Sequence, residues 1–423
     1  MNDVIIVGGG ICGLSLALAL HSRGVGCRVY ERAPQVTELG VGITLLPHGM
    51  REFAALGLDD TLLATGIENR ESRFFNRFGQ LIYKEPRGKF AGYAYPEVGI
   101  HRGRLQMILY RAALERLGAA RIATNHQCVG VEQDDETATA RFEATDSGRP
   151  LPPVRGSVVI ACDGVNSTIR RQFHPDDAVA FAGINTWRGV TRRAPILDGR
   201  TYIRIGSILT GKIVIYPIVD DVDGEGRQLI NWVAEIQHED FAKNDWNKAG
   251  NLDDFLPIYA DWRFDWLDVP DMIRHADAIL EYPMVDKDPL EQWTFNRVTL
   301  AGDAAHPMYP RGSNGSAQAA IDARVLADCM QRHVDDPRAA LREYESMRLP
   351  ATANVVRTNR AFPPDFINIK VEQLVGDRPF DDLDKYITQG ELKALSDQYK
   401  RIAGFALPGV APTEQRRPTE GSP

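Results

Sequence analysis

Three glycines and one acid near the start of the chain have the types and spacing of a dinucleotide site. Gly8, Gly10 and Gly13 follow a short apolar segment and open a predicted helix, and the next predicted strand ends in Glu31. Such glycines allow a tight turn, a close approach of the backbone to a pyrophosphate, and tight packing of helix on strand. The helix N-terminus offers N–H groups to phosphate, and the acid can accept hydrogen bonds from a ribose. The segment therefore predicts a dinucleotide, without separating NAD from FAD.

A second pair of residues, Gly302 and Asp303, separates the two dinucleotides. They follow a short apolar strand, and a predicted helix begins soon after them. A carboxylate at this place can hydrogen-bond a polyol chain, which FAD contains as its ribityl linker and NAD lacks. Asp163 and Gly164 follow a third apolar strand in the same way. Together these motifs predict that the dinucleotide is FAD.

The three motifs resemble those of the group A (single-component) FAD-dependent aromatic monooxygenases, and the resemblance covers most of the chain. Further matching segments are residues 101–106, 187–190, 216–217 and 310–315. Residues 85–88, 105–109, 187–191, 231–233, 282–286 and 308–310 resemble, more closely, the phenazine-modifying branch of that family. The resemblance implies an α/β fold in which a Rossmann-like FAD-binding domain is interleaved with an antiparallel-sheet substrate domain. A helical C-terminal region follows, as in p-hydroxybenzoate hydroxylase.

The predicted domains are interleaved along the chain. The FAD-binding domain is expected at residues 1–75, 100–185 and 284–340, the substrate-binding sheet domain at 76–99 and 186–283, and the C-terminal helices at 341–411. Two apolar segments, 72–75 and 80–83, flank a turn and predict a hairpin. Pro350 predicts a kink in the last helices. Residues 412–423, rich in Pro, Thr, Glu and Arg, predict a disordered tail.

The resemblance also implies a set of cofactor contacts. Those residues are Gly8, Gly10, Gly13, Glu31, Arg32, Gly42, Arg102, Gln106, Cys128, Asp163, Gly302, Asp303, Pro310, Gly312, Asn314 and Gly315. Of Cys128 only the peptide group would matter. The backbone N–H groups of Gly312–Gly315, at the start of a helix, are suited to stabilising negative charge on the reduced flavin ring. A plain glycine-rich loop is the alternative, and His306 is expected to support the motif that precedes it.

The family chemistry implied for this chain is a hydroxylation. NADH or NADPH reduces the flavin, which reacts with O2 to a C4a-hydroperoxyflavin and hydroxylates an aromatic or heteroaromatic ring. A phenazine carboxylate or a hydroxybenzoate would be such a substrate, and a carboxyl on the attacked carbon could leave as CO2. No second glycine fingerprint follows a strand, so the nicotinamide cofactor is expected to dock transiently.

Candidate substrate contacts come from the strand-rich region and one loop. They are Arg188, Tyr216, Trp232, Tyr282 and Tyr309. Arg188 could hold an aromatic carboxylate through two parallel hydrogen bonds, or it could pack against Trp187 or bridge the domains. His48 and Tyr216 are the candidates for catalytic groups. His48 could equally be a satisfied loop histidine, so no base is assigned.

Three other functions compete with this interpretation. A flavin-dependent halogenase would need a Trp-x-Trp-x-Ile-Pro signature, and Trp262 and Trp266 have the wrong spacing for it. An NAD-dependent dehydrogenase would leave Gly302 and Asp303 unexplained. A non-catalytic flavin-binding regulator stays open, because the sequence alone does not exclude lost turnover.

The composition limits which binding partners are expected. The 423 residues carry 49 Lys and Arg against 57 Asp and Glu, a net charge of −8, which argues against nucleic acid or an anionic membrane surface. The five cysteines form no C-x-x-C pair and no metal-ligand spacing, so no metal site is predicted. No apolar run is long enough to span a bilayer, and a strand predicted from about Asp3 leaves no room for a signal peptide. We expect a cytoplasmic monomer or homodimer.

Overall fold

The computed structural model describes residues 3–38, 40–238, 249–361, 366–402 and 406. The strands are β1 (Val4–Val7), β2 (Cys27–Tyr30), β3 (Gly42–Leu45), β4 (Ile67–Glu68), β5 (Glu71–Phe75), β6 (Leu81–Pro86), β7 (Val98–His101), β8 (Ile122–Ala123), β9 (Gln127–Gln133), β10 (Ala138–Glu143), β11 (Val154–Gly156), β12 (Val158–Ala161), β13 (Val179–Arg193), β14 (Thr201–Ser207), β15 (Gly211–Val219), β16 (Gln228–Gln237), β17 (Arg263–Phe264), β18 (Leu267–Asp268), β19 (Ala276–Lys287), β20 (Thr294–Phe295) and β21 (Val298–Leu300). The helices are α1 (Ile11–Ser22), α2 (Pro47–Ala55), α3 (Asp59–Thr65), α4 (Arg102–Leu117), α5 (Thr168–Phe173), α6 (Val269–Arg274), α7 (Gly315–Arg332), α8 (Pro337–Ala361), α9 (Phe366–Val375) and α10 (Gln389–Ile402). The predicted disordered tail, 412–423, lies outside the described residues.

The first sheet is the predicted Rossmann-like sheet. Its strand order is β20-β21-β12-β1-β2-β8, and all neighbours are parallel except β20 and β21. Strands β1 and β12 are apolar and buried along their whole length, as expected for a parallel sheet covered on both faces. Ile6 faces α1, and Ile5 faces the small sheet β11-β10-β9. The carboxyl ends of β1, β12 and β21 therefore bring the three predicted motifs to one edge.

The second sheet has seven strands in the order β19-β13-β16-β15-β14-β5-β6. It is antiparallel except where β14 pairs with β5. The strands predicted near residues 200–205, 212–218 and 229–236 are confirmed as β14, β15 and β16, and the predicted hairpin is β5 and β6. One face packs on the segment that contains Phe255, Tyr259 and Trp262. The other face carries a separate, smaller cluster around Tyr202 and Tyr216.

The predicted domain boundaries do not coincide with strand ends. A boundary after residue 75 separates β5 from β6, although both strands lie in the seven-stranded sheet. Boundaries at 185 and 283 fall inside β13 and β19. The larger sheet thus begins before residue 75 and ends after residue 283.

The C-terminal helices pack on the hairpin. Ile367 and Val371 of α9 and Leu392 of α10 form one apolar cluster with Phe74 and Ile82. Helix α8 continues through Pro350 as one helix. In the described part of the chain no helix is long and apolar enough to cross a membrane, and no cluster of side chains there has the composition of a metal site.

Candidate active site

The glycines after β1 divide into two that the protein itself requires and one that leaves space. Gly8 has φ +107°, and a Cβ placed on it would lie 2.3 Å from the Cys162 carbonyl oxygen. A Cβ on Gly13 would lie 2.0 Å from the Gly8 carbonyl oxygen. Gly10, directly before α1, has no atom within 4 Å of the same position. The helix N-terminus therefore faces open space at Gly10, where backbone N–H groups can meet an anion.

Glu31 holds this loop in place. Its Oε2 accepts a hydrogen bond of 2.6 Å from the Gly9 backbone N–H, and its Oε1 accepts one of 2.8 Å from Ala33. Gln106 donates from Nε2 to the Gly9 carbonyl at 2.9 Å. Each carboxylate oxygen can accept more than one hydrogen bond, so these contacts leave Glu31 able to bind a hydroxyl. Gln106 therefore stabilises the loop through its hydrogen bond to the Gly9 carbonyl.

Asp163 follows β12 beside this loop. Its Oδ2 accepts a 2.9 Å hydrogen bond from the Thr168 backbone N–H at the start of α5. Its Oδ1 is buried and has no hydrogen-bond partner among the described residues. Burial raises the pKa of Asp163 above the usual carboxyl range. Because buried oxygens are nearly always hydrogen-bonded, this oxygen indicates a place for a further donor.

Gly302 and Asp303 follow β21. Gly302 has φ +59°, and a Cβ there would lie 2.9 Å from Cβ and Sγ of Cys12 in α1. Asp303 is exposed to solvent, yet desolvation by the surrounding protein raises its pKa, while His306 and Arg102 oppose that rise. A carboxylate that is accessible and crowded at once lies in a concave surface. Arg102 and Asp303, both predicted cofactor contacts, are therefore brought together.

A buried ionic cluster supports this motif from behind. Asp322 of α7 accepts hydrogen bonds from the Gly302 backbone N–H (3.0 Å), His306 Nε2 (2.5 Å) and Arg348 Nε (2.7 Å). Burial disfavours a charge here, but His306 and Arg348 hold the pKa of Asp322 well below its usual range. His306 therefore contacts the motif through Asp322, as a supporting residue.

In the loop before α7, the space where a Cβ would lie is blocked at one glycine and open at another. Gly312 has φ +80°, and a Cβ placed on it would lie 1.7 Å from the Tyr399 hydroxyl oxygen. Gly315, the first residue of α7, has nothing within 4 Å of that position. Gly315 therefore leaves open space at the start of α7, whereas the missing side chain at Gly312 makes room for Tyr399 of α10.

His48 lies against the same loop. Its Nε2 is 3.0 Å from Oδ1 of Asn314, the residue that precedes α7. Burial lowers the pKa of His48 to about 4, although the Asn314 contact opposes this shift. The imidazole is therefore neutral at neutral pH.

Three of the predicted substrate residues share one face of the seven-stranded sheet. The Arg188 guanidinium lies 5.6 Å from the centre of the Tyr282 ring. Burial raises the pKa of Tyr216 well above its usual value, and the nearby positive charge of Arg188 offsets part of that rise. Tyr216 is stacked on Tyr202 with 4.9 Å between ring centres. Arg188 Nε is buried, and no described residue accepts a hydrogen bond from it.

Tyr309 is buried at one end of this face. It packs with Ile184 of β13 and Met284 of β19. Burial and the neighbouring Asp286 raise its pKa to about 12, and the Arg360 guanidinium lies 6.0 Å from its ring. The Tyr309 ring is therefore held by protein contacts beside the loop that it precedes.

Trp232 lies on the opposite face. It is fully buried against Gly189, and its Nε1 donates a 3.1 Å hydrogen bond to Thr191 Oγ1. Trp187 also lies there, stacked on Phe255 at 5.0 Å. The prediction that Trp232 contacts substrate is corrected accordingly, because strand alternation directs it into the core. The same alternation separates Arg188 from Trp187.

The remaining predicted cofactor residues differ in what surrounds them. The Gly42 N–H donates a 2.7 Å hydrogen bond to Asn231 Oδ1 of the large sheet. Cys128 is buried in β9, and burial raises its pKa to about 12, so its thiol is protonated. Arg32 and Pro310 are exposed. Arg104, which lies in the matching segment 101–106, pairs with Glu38 at 3.7 Å.

Sequence patterns assigned no role to three residues of the site. Asp322 and Tyr399 contact the motifs from helices far along the chain, and Asn231 contacts β3 from the large sheet. An acid or tyrosine in a helix has many surface roles, so only the spatial arrangement singles these residues out.

Comparison with known proteins agrees with this geometry. A family model described as FAD binding domain matches residues 1–201 and 282–359. A phenazine 1,6-dicarboxylic acid hydroxylase from Lysobacter antibioticus is 40% identical over 364 residues, covering 85% of this chain and 89% of its own. A 3-amino-4-hydroxybenzoate 2-monooxygenase from Streptomyces cremeus is 31% identical, covering 86% and 87%. The chain belongs to the FAD-dependent aromatic monooxygenases.

A solved structure has the same fold as this FAD-dependent monooxygenase. The Klebsiella pneumoniae protein HpxO, in complex with FAD and uric acid, superimposes with a TM-score of 0.74 at 24% identity, over 96% of this chain and 95% of the other. The cofactor is FAD, and the residues fit it. Gly10 and Gly315 face open space, Asp163 has an unpaired buried oxygen, and Asp303 lies in a concave surface.

Proposed function

We propose that this FAD-dependent aromatic monooxygenase hydroxylates an aromatic or heteroaromatic carboxylate, of which a phenazine carboxylate is the leading example, with NAD(P)H and O2 as co-substrates. The observation that carries the proposal is Arg188, a partly buried cation with an unused N–H donor near the rings of Tyr282 and Tyr216. Two relatives act, by their names, on ring-bound carboxylates: phenazine 1,6-dicarboxylic acid and 3-amino-4-hydroxybenzoate.

The residues that would hold FAD follow from the open positions. The α1 N-terminus at Gly10 suits the pyrophosphate, with Glu31 suited to the adenosine ribose. Asp303 suits the ribityl hydroxyls. The α7 N-terminus at Gly315 suits the electron-rich edge of the flavin ring, because its N–H groups and helix dipole favour negative charge. When bound, FAD supplies the two-electron and oxygen chemistry of the hydroxylation, and the protein supplies positioning, electrostatics and exclusion of water.

Arg188 would orient the substrate. Nε and one terminal nitrogen of a guanidinium lie on the same edge and can donate two parallel hydrogen bonds to a carboxylate. The Tyr216 and Tyr282 rings lie beside that group and offer aromatic contact to the rest of the substrate. A partly buried arginine binds a carboxylate more strongly than an exposed one, because water screens the pair less.

Tyr216 and His48 would have different proton roles. Burial holds the pKa of Tyr216 far above neutrality, so its hydroxyl stays protonated and can donate a hydrogen bond but cannot serve as a base. His48 is neutral at pH 7 because its pKa is lowered to about 4, and such an imidazole is a weak proton acceptor. Neither residue can therefore act as a strong base towards the substrate.

Anaerobic stopped-flow reduction of the flavin tests this proposal. The enzyme is mixed with NADH or NADPH in the presence of phenazine-1-carboxylate, phenazine-1,6-dicarboxylate or 3-hydroxybenzoate, with the matching carboxamides as uncharged controls. Faster reduction with a carboxylate, and a hydroxylated product in air, are the expected results. Equal responses to carboxylate and carboxamide would contradict the role of Arg188. A bound flavin that no aromatic affects would favour a non-catalytic regulator, and a halogenated product in chloride or bromide would favour a halogenase. The cytoplasmic location and the monomeric or dimeric state stay predictions.

A further inference from the structure

Tyr399 reaches from the last described helix, α10, to the loop before α7. The tyrosine is 6% exposed, and its hydroxyl oxygen occupies the space where any side chain at residue 312 would begin. Residue 312 must therefore be glycine for two reasons. Tyr399 leaves no space for a side chain there, and the backbone of residue 312 has φ +80°. The contact ties the C-terminal helix to the loop whose N–H groups are suited to the flavin ring.

The Tyr399 hydroxyl joins two buried amides. It accepts a hydrogen bond from Asn314 Nδ2 at 3.2 Å and donates one to Asn359 Oδ1 at 3.2 Å. Asn314 and Asn359 are 1% and 0% exposed, so neither amide can replace this partner with bulk water. Asn314 Oδ1 faces His48 Nε2 on its other side. The hydroxyl thus fixes the orientation of the residue that precedes α7.

The same helix is anchored to the large sheet. Ser396 Oγ donates a 2.6 Å hydrogen bond to Oε2 of Glu85 in β6, and Lys400 Nζ pairs with that oxygen at 2.7 Å. Glu85 is buried, and Arg87 lies 3.5 Å from its other oxygen. Helix α10 therefore connects the seven-stranded sheet with the loop at Gly312–Gly315.

From these contacts we infer that Tyr399 is a positioning residue for the flavin, acting through Gly312 and Asn314, and that docking of α10 and binding of FAD are coupled. The inference rests on the proposed function, because it assigns the loop at Gly312–Gly315 to the flavin ring. A misplaced loop would bind FAD less tightly. It would also stabilise the negatively charged reduced ring less well, which makes the midpoint potential of the bound flavin more negative.

The Tyr399→Phe variant tests the hydroxyl while keeping the ring. FAD affinity is measured by titrating the apoprotein, the midpoint potential by redox titration of the bound flavin, and the fold by the melting temperature of the apoprotein. We expect the Kd for FAD to rise about tenfold, since two buried amide hydrogen bonds are lost, and the potential to become more negative. Tyr386→Phe, at an exposed tyrosine before α10, is the control and should change neither.

A lower melting temperature of Tyr399→Phe with unchanged Kd and potential would show a purely structural role and overturn the inference. Failure of the wild-type protein to bind FAD would instead overturn the proposed function, so the two failures are distinguishable.

A double-mutant cycle gives an independent test of the contact. Gly312→Ala places a methyl group on the Tyr399 hydroxyl, whereas in a Tyr399→Ala background that space is empty; the strain at φ +80° is common to both. We expect Gly312→Ala to weaken FAD binding at least about threefold less in the Tyr399→Ala background than in the wild type. Equal effects in the two backgrounds would contradict a coupling through this contact.

Discussion

Arg188 is the residue whose replacement distinguishes carboxylate binding from packing. Arg188→Met keeps most of the side-chain volume and removes every donor. We expect the Kd for a carboxylated substrate to rise about 10- to 100-fold, because hydrogen bonds to a charged group are lost. Arg188→Lys should recover only part of the affinity, since an ammonium cannot make two parallel hydrogen bonds. Substrate binding followed through the flavin spectrum checks this, with FAD affinity unchanged as the control. A carboxamide analogue that loses as much affinity as the acid would contradict it.

His48 makes stability depend on pH in a defined window. Its folded-state pKa, about 4, lies below the ordinary value of 6.5. The unfolded chain therefore binds more protons between these values, and stability is lost as the pH falls from 6.5 towards 4. Between pH 7 and pH 5 the free energy of unfolding of the wild type should fall by about 1–2 kcal/mol more than that of His48→Asn.

Urea unfolding of the apoprotein at the two pH values measures this difference. His275→Asn, at an exposed histidine, is the control and should behave as the wild type does. An equal pH dependence in His48→Asn and wild type would show that the imidazole is already charged at pH 5 or is not desolvated.

At the scale of elements, α7 supports the motif at Gly302 through one acid. Asp322→Asn keeps the shape of the side chain but leaves His306 and Arg348 buried without a negative charge. Removing one partner of a buried ionic cluster costs about 3–5 kcal/mol, so we expect a large loss of stability and of bound FAD. Asp328→Asn, on the same helix, breaks partly exposed pairs with Arg23 and Arg324 and should cost about 1 kcal/mol or less. Calorimetry and flavin content of both variants check the prediction, and equal losses would contradict it.

The elements also show what the sequence could predict. Glycine spacing and apolar strands placed the motifs after β1, β12 and β21, because the tight turns there demand particular residue types. The faces of the long strands were not predictable in the same way. Arg188 and Trp232 were both plausible substrate residues, and only the register of β13 with β16 places them on opposite faces. Contacts made by distant helices, such as Asp322 with Gly302, follow from packing that no local pattern encodes.

At the scale of the whole molecule, the FAD-binding domain and the seven-stranded sheet pack closely against each other. At Gly42 the two approach so closely that a Cβ would lie 2.6 Å from Asn231 Cβ and 2.8 Å from a methyl group of Ile218. Gly99 of β7 similarly abuts the Pro217 carbonyl oxygen, at 2.5 Å from its Cβ position. The interleaved chain therefore forms one closely packed interface between the predicted cofactor residues and the proposed substrate face.

Gly42→Ala tests whether that fit governs the activity of the assembled enzyme. The added methyl group must move the FAD-binding domain away from the seven-stranded sheet, because Asn231 and Ile218 both belong to packed strands. Overpacking of this kind costs about 1–3 kcal/mol of stability. We expect lower stability and a weaker acceleration of flavin reduction by substrate, because Arg188 moves relative to the loop at Gly315. Gly390→Ala, in α10 with no atom closer than 3.9 Å to the new Cβ, is the control and should keep wild-type behaviour. Urea unfolding and stopped-flow reduction measure the two effects. A Gly42→Ala enzyme that is destabilised but reduced at the wild-type rate would contradict this prediction. It would show that the spacing between the FAD-binding domain and the seven-stranded sheet does not control flavin reduction.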